Sequence, residues 1–192
     1  EKRITGEVCV HHLWFDADDY EHLGARIKWN PAVKYRKDRD ALRIGLITNH
    51  LDVVATDHAP HTLDEKSQDY YKSPSGGPLV QHALPVMLEM AHQGVFTKEM
   101  VVEKMCHAPA TLFRIEKRGF IREGYYADLV LVNPNGHQTV TDDSVLYKCK
   151  WTPFNGTKLK HTISRTWVNG ALVYEEGTIN DAIKGKRLLF SV

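Results

Sequence analysis

The stretch Leu51-Asp52-Val53-Val54-Ala55 runs with no turn residue into Thr56-Asp57-His58-Ala59-Pro60-His61. That junction limits what the chain can fold into. The run is too short for a helix, and its β-branched residues favour a strand. It does not stand alone. Ile4 to Val10 reads as a short buried strand ending in His11-His12, and Ala25 to Trp29 as a second, closed by Asn30-Pro31. Asp16 to Leu23 opens with the carboxylates that favour a helix N-terminus. Asp38 to Thr48 is a helix candidate, with Ala41, Leu42, Ile44 and Leu46 as its apolar positions. Short apolar strands alternating with helices predict a parallel sheet covered on both faces, an α/β fold. Polar residues gather just after each strand, where α/β barrels keep their active sites.

Downstream, Leu63 to Gly77 is polar and ends in Ser73-Pro74-Ser75-Gly76-Gly77-Pro78. A structureless loop of that length is either functional or a linker. Val80 to Gly94 reads as a helix ended by glycine, and Thr97 to Met105 as one capped by Thr97. A third short helix opens at Ala108-Pro109. Around Gly119 the pattern changes. Ala127 to Val132 is a strand, and Asn169-Gly170 is a hairpin turn signal between Thr162–Trp167 and Ala171–Tyr174. The expected division is 1-118, an α/β part, and 119-192, a β-rich part.

Of the 192 residues, 42% are hydrophobic, enough to bury a core, and 25 basic residues face 24 acidic ones for a net charge of +1. That balance gives no reason to expect nucleic acid or an anionic membrane surface as a partner. No apolar run approaches the roughly 20 residues a membrane helix needs. The three cysteines, Cys9, Cys106 and Cys149, form no Cys-x-x-Cys pair, so a reducing, cytoplasmic setting is expected.

Chemistry concentrates at the strand ends. An aspartate such as Asp57, at the C-terminal end of a barrel strand, can bind a metal and take a proton from water. It can equally cap the following turn, with His58 packed inside. His61 lies four residues on, within reach of a substrate carboxylate. Of His11 and His12, adjacent on one strand end, one is expected to face the barrel mouth and the other to pack. The Asn30 amide donates and accepts at once, which suits a cyclic amide, although a turn-forming asparagine is the plainer reading. His107, before Ala108-Pro109, reads as structural.

Taken together, Gly6-Glu7-Val8-Cys9-Val10-His11-His12-Leu13, Lys28-Trp29-Asn30-Pro31, Asp52 to His61, Gly119-Phe120-Ile121 with Gly124, Ala127-Asp128-Leu129-Val130 and Trp167-Val168-Asn169-Gly170 resemble the dihydroorotases of the amidohydrolase superfamily, near the allantoinases and hydantoinases. The resemblance implies the C-terminal part of a TIM-like (β/α)8 metal-dependent hydrolase barrel, strands six to eight, with part of a small β-sandwich subdomain. It implies reversible hydrolysis of dihydroorotate to carbamoyl aspartate, with zinc, one or two ions. It makes His11 a metal ligand, Asp57 a metal ligand and proton shuttle, and Asn30 and His61 substrate contacts. The expected partner is a small-molecule substrate; a homo-oligomer or a transcarbamoylase complex is left open. Val10 stands where the family commonly has Pro, Ala32-Val33-Lys34 where it has Pro-Leu-Arg, and Ala108 where it often has Asn. These departures put substrate preference in question, because Lys34 keeps the charge but loses the planar fork of Arg. The family's leading His-x-His pair does not occur, so five barrel strands and further ligands are expected upstream. By itself the chain is expected to be unstable or inactive. A non-catalytic, dihydroorotase-like scaffold is the competing reading.

Overall fold

The computed structural model describes Lys2 and residues 4–191. Strand β1 (Glu7–Cys9) leads directly into α1 (Val10–Trp14). A short 3-10 turn at Ala17–Asp19 and α2 (Tyr20–Leu23) follow. The Asp16 side chain accepts from Asp18 N at 3.1 Å, while Asp19 accepts from Asp16 N at 2.9 Å, so the predicted Asp-rich helix start is a capping box. Helix α3 (Arg36–Ile47) then carries the chain back to β2 (Val53–Ala55). Strands β1 and β2 pair in parallel, Glu7 opposite Val53 and Cys9 opposite Ala55. A helix crossing between adjacent parallel strands is the repeating unit of an α/β barrel.

Two sequence expectations change here. Ala25 to Trp29 is not a strand, because Gly24–Ile27 forms a 3-10 turn and β2 occupies the place beside β1. The chain therefore supplies two parallel barrel strands among its described residues, where three were expected. Ile27 and Trp29 are both buried, and this alternation in burial is what imitates a strand. Lys28 O is instead taken by Gly76 N at 2.9 Å. His11 and His12 also do not end a strand; they lie in α1.

Beyond β2, α4 (Leu63–Lys66) gives structure to the expected loop, with Thr62 and Glu65 in a capping box. Helix α5 (Ala83–His92) buries mostly apolar residues, with the buried Glu89 accepting from Lys160 N at 2.9 Å, and α6 (Lys98–Val102) is capped by Thr97, whose hydroxyl accepts from Met100 N at 3.1 Å. A π-turn at Glu103–His107 joins α6 to α7 (Ala108–Leu112). Val8, Leu13, Ile27 and Trp29 pack with Leu79, Val86, Met87 and Met90 in one core. No described helix is long and apolar enough to cross a membrane.

After α7 the chain is mostly β: β3 (Leu129–Asn133), β4 (Gln138–Thr139), β5 (Lys158–Leu159), β6 (Thr162–Val168), β7 (Ala171–Glu175) and β8 (Thr178–Ile179). Strands β3, β6, β7 and β8 form an antiparallel sheet in that order, and β4 pairs with β5. Asn169 and Gly170 turn the β6–β7 hairpin at φ 52° and 83°, the geometry an Asn-Gly turn favours. Residues 140–159 return to the α/β part, where Val140, Phe154 and Leu159 join its core. Arg118, nearly buried, donates to Asp128 and Asn169 and so ties the helices to the sheet.

Gly119 marks the junction. Its φ is +79°, and a Cβ there would lie 2.3 Å from Ala110 Cβ and 2.8 Å from Cys106 O. Left-handed strain and overpacking add, so Gly119→Ala is expected to cost about 2–4 kcal/mol. Urea unfolding of the full-length protein measures this, and an unshifted midpoint would show that the junction has slack.

Candidate active site

Helix α1 begins at once after β1, and Asp57 follows β2 by two residues, so both strands deliver side chains to the same end of the sheet. A cavity of about 730 Å³ opens there. Cys9, His12, Asn30, Lys34, Arg39 and Asp57 line it. Asp57 holds φ 48°, a left-handed conformation that aspartate tolerates better than most residues and that recurs at functional sites. Arg39 is fixed by the buried Asp16, whose carboxylate it meets at 2.7 Å.

The two histidines divide as expected, one outward and one inward, with His12 at the cavity and His11 inside. His12 Nε2 donates to Pro31 O at 2.8 Å, which fixes the tautomer and leaves Nδ1 as the free lone pair. Burial lowers the His12 pKa; the Pro31 carbonyl and the Asp57 charge oppose this, and Lys34 adds to it. His11 is completely buried and stacks on Trp29 at 4.2 Å. Burial, with His12 beside it, pulls its pKa down to about 2, so it is neutral throughout the physiological range. Neither of its ring nitrogens has a hydrogen-bond partner. Cys9, His11 and His12 hold their donor atoms within 4.8 Å of one another. The Cys9 thiol is pushed up to about 12 by burial and then by the negative charges of Asp57 and Glu7.

Of the residues singled out from sequence, the fold brings Asp57 and Asn30 to one cavity. His11 lies behind it, and His61 does not line it. His61 Nε2 donates to Ser75 O at 3.0 Å, its Nδ1 is 3.9 Å from Glu65, and its carbonyl accepts from Trp151 Nε1 at 2.7 Å. His58 is structural, its Nδ1 accepting from Leu79 N and Val80 N. His107 stacks on Phe120 at 4.4 Å. Sequence reading missed Cys9, Arg39 and Lys66. Cys9 was legible in principle, because it shares its strand end with the histidine pair. Arg39 needed its tertiary partner Asp16. Lys66 looks like a surface cation in sequence yet is only 2% exposed. Burial and the neighbouring Lys28 charge bring its pKa down to about 8.

A carboxylate just after β2 and an imidazole in α1, the helix that follows β1, meet at one barrel-type cavity in a hydrolase-like arrangement. Residues 3–173 match the amidohydrolase family, and the chain belongs to that family. It is 39% identical to a dihydroorotase of Halobacterium salinarum over 92% of its own length and 42% of that protein's. With a dihydroorotase of Bacillus cytotoxicus it shares 33% over 91% of its length and 41% of that protein's. Among solved structures, an L-hydantoinase (dihydropyrimidinase) from Arthrobacter aurescens superposes with a TM-score of 0.86 at 27% identity, over 92% of this chain and 40% of that one. The fold is therefore part of a TIM-barrel-type amidohydrolase. The chain spans about two-fifths of the length of the relatives it matches.

Proposed function

We propose that this chain is part of a dihydroorotase, which opens the cyclic amide of dihydroorotate reversibly to N-carbamoyl aspartate. The observation that carries the reading is the meeting of Asp57, Asn30 and His12 at one cavity on the C-terminal ends of two parallel barrel strands. Two dihydroorotases at 39% and 33% identity support it. In the reaction the ring C–N bond breaks, the oxygen of water ends in the new carboxylate, and the leaving nitrogen takes a proton. Asp57 is the group assigned to move that proton. The Asn30 amide donates to and accepts from the ring amide. Lys34 at the cavity and His61 on the neighbouring loop are assigned to the substrate carboxylate.

The donor set fits zinc. Zinc takes imidazole nitrogen, thiolate and carboxylate oxygen, and a fully buried imidazole with two unpartnered nitrogens is chemically suited to a metal bond. His11, within the Cys9–His11–His12 cluster, and Asp57 are the residues that would hold the ion. Zinc would supply Lewis acidity at the ring carbonyl. The reading treats 1-118 as the barrel part and 119-192 as a β-sandwich subdomain.

The hydantoinase likeness of the fold favours one alternative, another cyclic amide as substrate. Dihydroorotate hydrolysis by the full-length protein, with and without a chelator, separates the readings. Turnover lost on chelation and restored by zinc is the expected outcome. Turnover of hydantoin alone would shift the substrate. No turnover of either by folded, zinc-replete protein would favour a non-catalytic scaffold.

A further inference from the structure

Lys66 is a lysine buried without a carboxylate. Its ammonium donates to Gly76 O at 2.8 Å, Pro74 O at 2.9 Å and Lys28 O at 3.3 Å, and it lies over the Trp151 ring at 5.9 Å. An ammonium has three donors, and all three are used on main-chain carbonyls. Removing such a cation from water is unfavourable unless its bonds are made. Those carbonyls come from two separate segments. Lys28 O belongs to the stretch that reaches Asn30 two residues later. Pro74 and Gly76 flank Ser75, whose carbonyl holds His61. The segments also touch directly, Gly76 N donating to Lys28 O at 2.9 Å, and the loop is tied to the stretch after β2 by Ala59 N, which donates to Gly77 O at 3.2 Å. Gly76 and Gly77 leave no room for more, since an added Cβ would sit 2.5 Å from Ala59 O or 3.1 Å from Trp29. A second lysine fastens the outer part of the same loop, with Lys28 Nζ donating to Tyr70 O at 2.6 Å and Ser73 O at 2.7 Å.

We propose that Lys66 is a positioning residue for substrate binding, its ammonium joining the Asn30-bearing segment to the loop that holds His61. This rests on the dihydroorotase reading for its substrate, but not for the clamp itself. Loss of the ammonium frees three carbonyls and loosens the loop, while Asp57 keeps its place after β2. Binding is therefore affected more than the proton transfer, and KM moves while kcat holds.

The test uses the full-length, zinc-loaded protein with Lys66→Met and Lys66→Gln, the second keeping two donors without the charge. Two quantities are read: KM and kcat for dihydroorotate, and the rate at which trypsin cuts after Lys72 in the loop. Lys66→Met is expected to raise KM by about tenfold or more, the equivalent of one charged hydrogen bond, with kcat changed much less. Tryptic cleavage after Lys72 is expected to accelerate, and Lys66→Gln to fall between Met and the parent on both measures. A folded Lys66→Met protein with parental KM and cleavage rate overturns the proposal. So does a variant that loses kcat in proportion to its folded fraction at constant KM. If Lys66→Met does not fold, Lys66→Gln decides by the same two readings. Should the parent show no dihydroorotate turnover, the substrate reading fails, and the cleavage rate alone upholds or overturns the clamp.

Discussion

Asp57→Asn in the full-length protein is expected to lower dihydroorotate hydrolysis by about 10²- to 10⁴-fold, the usual contribution of a positioned acid–base group. Its thermal midpoint should stay close to the parent's. The substitution is nearly isosteric, and Asn accepts the left-handed φ of 48° at this position as readily as Asp. Among the described residues no hydrogen bond is made to the Asp57 carboxylate, so the fold loses none. What disappears is a proton acceptor and a negative charge at the cavity. That charge acts on Cys9 and His12, raising the pKa of both. An amide does neither and is a poor metal ligand, so bound zinc per chain, measured by mass spectrometry, should fall as well. A variant keeping more than a tenth of parental turnover would mean that another group moves the proton. A variant that loses turnover together with its folded structure would reveal a structural role for Asp57 instead.

The parts of this molecule that were legible in its sequence are those that local chemistry decides. Asn169-Gly170 needs positive φ at two successive residues and no help from elsewhere. Thr97 caps α6 by a bond three residues long. The β-branched run before Asp57 has little choice but to be a strand, so the residue most open to chemical reading was also well placed. Tertiary contacts decided the rest. Ile27 and Trp29 are both buried by neighbours distant in sequence, and the resulting period of two imitated a third strand. The facing of His11 and His12 depends on where β1 stops. It stops at Cys9, so the pair begins a helix rather than ending a strand, and His12 reaches the cavity. The bonds of Lys66 all go to carbonyls, groups every residue carries, and so leave no trace in side-chain pattern. The return of residues 140–159 to the α/β core is likewise non-local, and a reading by composition sees only a β-rich tail.

That return has a consequence large enough to measure. Trp151 is fully buried. The guanidinium of Arg26 lies over its ring at 5.7 Å and the ammonium of Lys66 at 5.9 Å, and its Nε1 donates to His61 O at 2.7 Å. Arg26 also forms a bidentate pair with Asp142, at 3.0 and 2.7 Å, from the same returning segment. Trp151→Ala is therefore expected to destabilise the full-length protein by about 3–5 kcal/mol, through lost burial and the cavity left behind. Trp151→Phe retains most of the apolar surface but strands the His61 carbonyl, which costs about 1–3 kcal/mol. Because that carbonyl belongs to a residue assigned to substrate, the Phe variant should also raise KM for dihydroorotate. Denaturant unfolding gives the first quantity and steady-state kinetics the second. If Trp151→Ala costs less than about 1 kcal/mol, the magnitude of an ordinary surface change, residues 140–159 do not brace the α/β part and the two halves are independent units. If the full cost appears, residues 140–159 brace the α/β part, and Gly119 is a bend within one unit rather than a boundary between two.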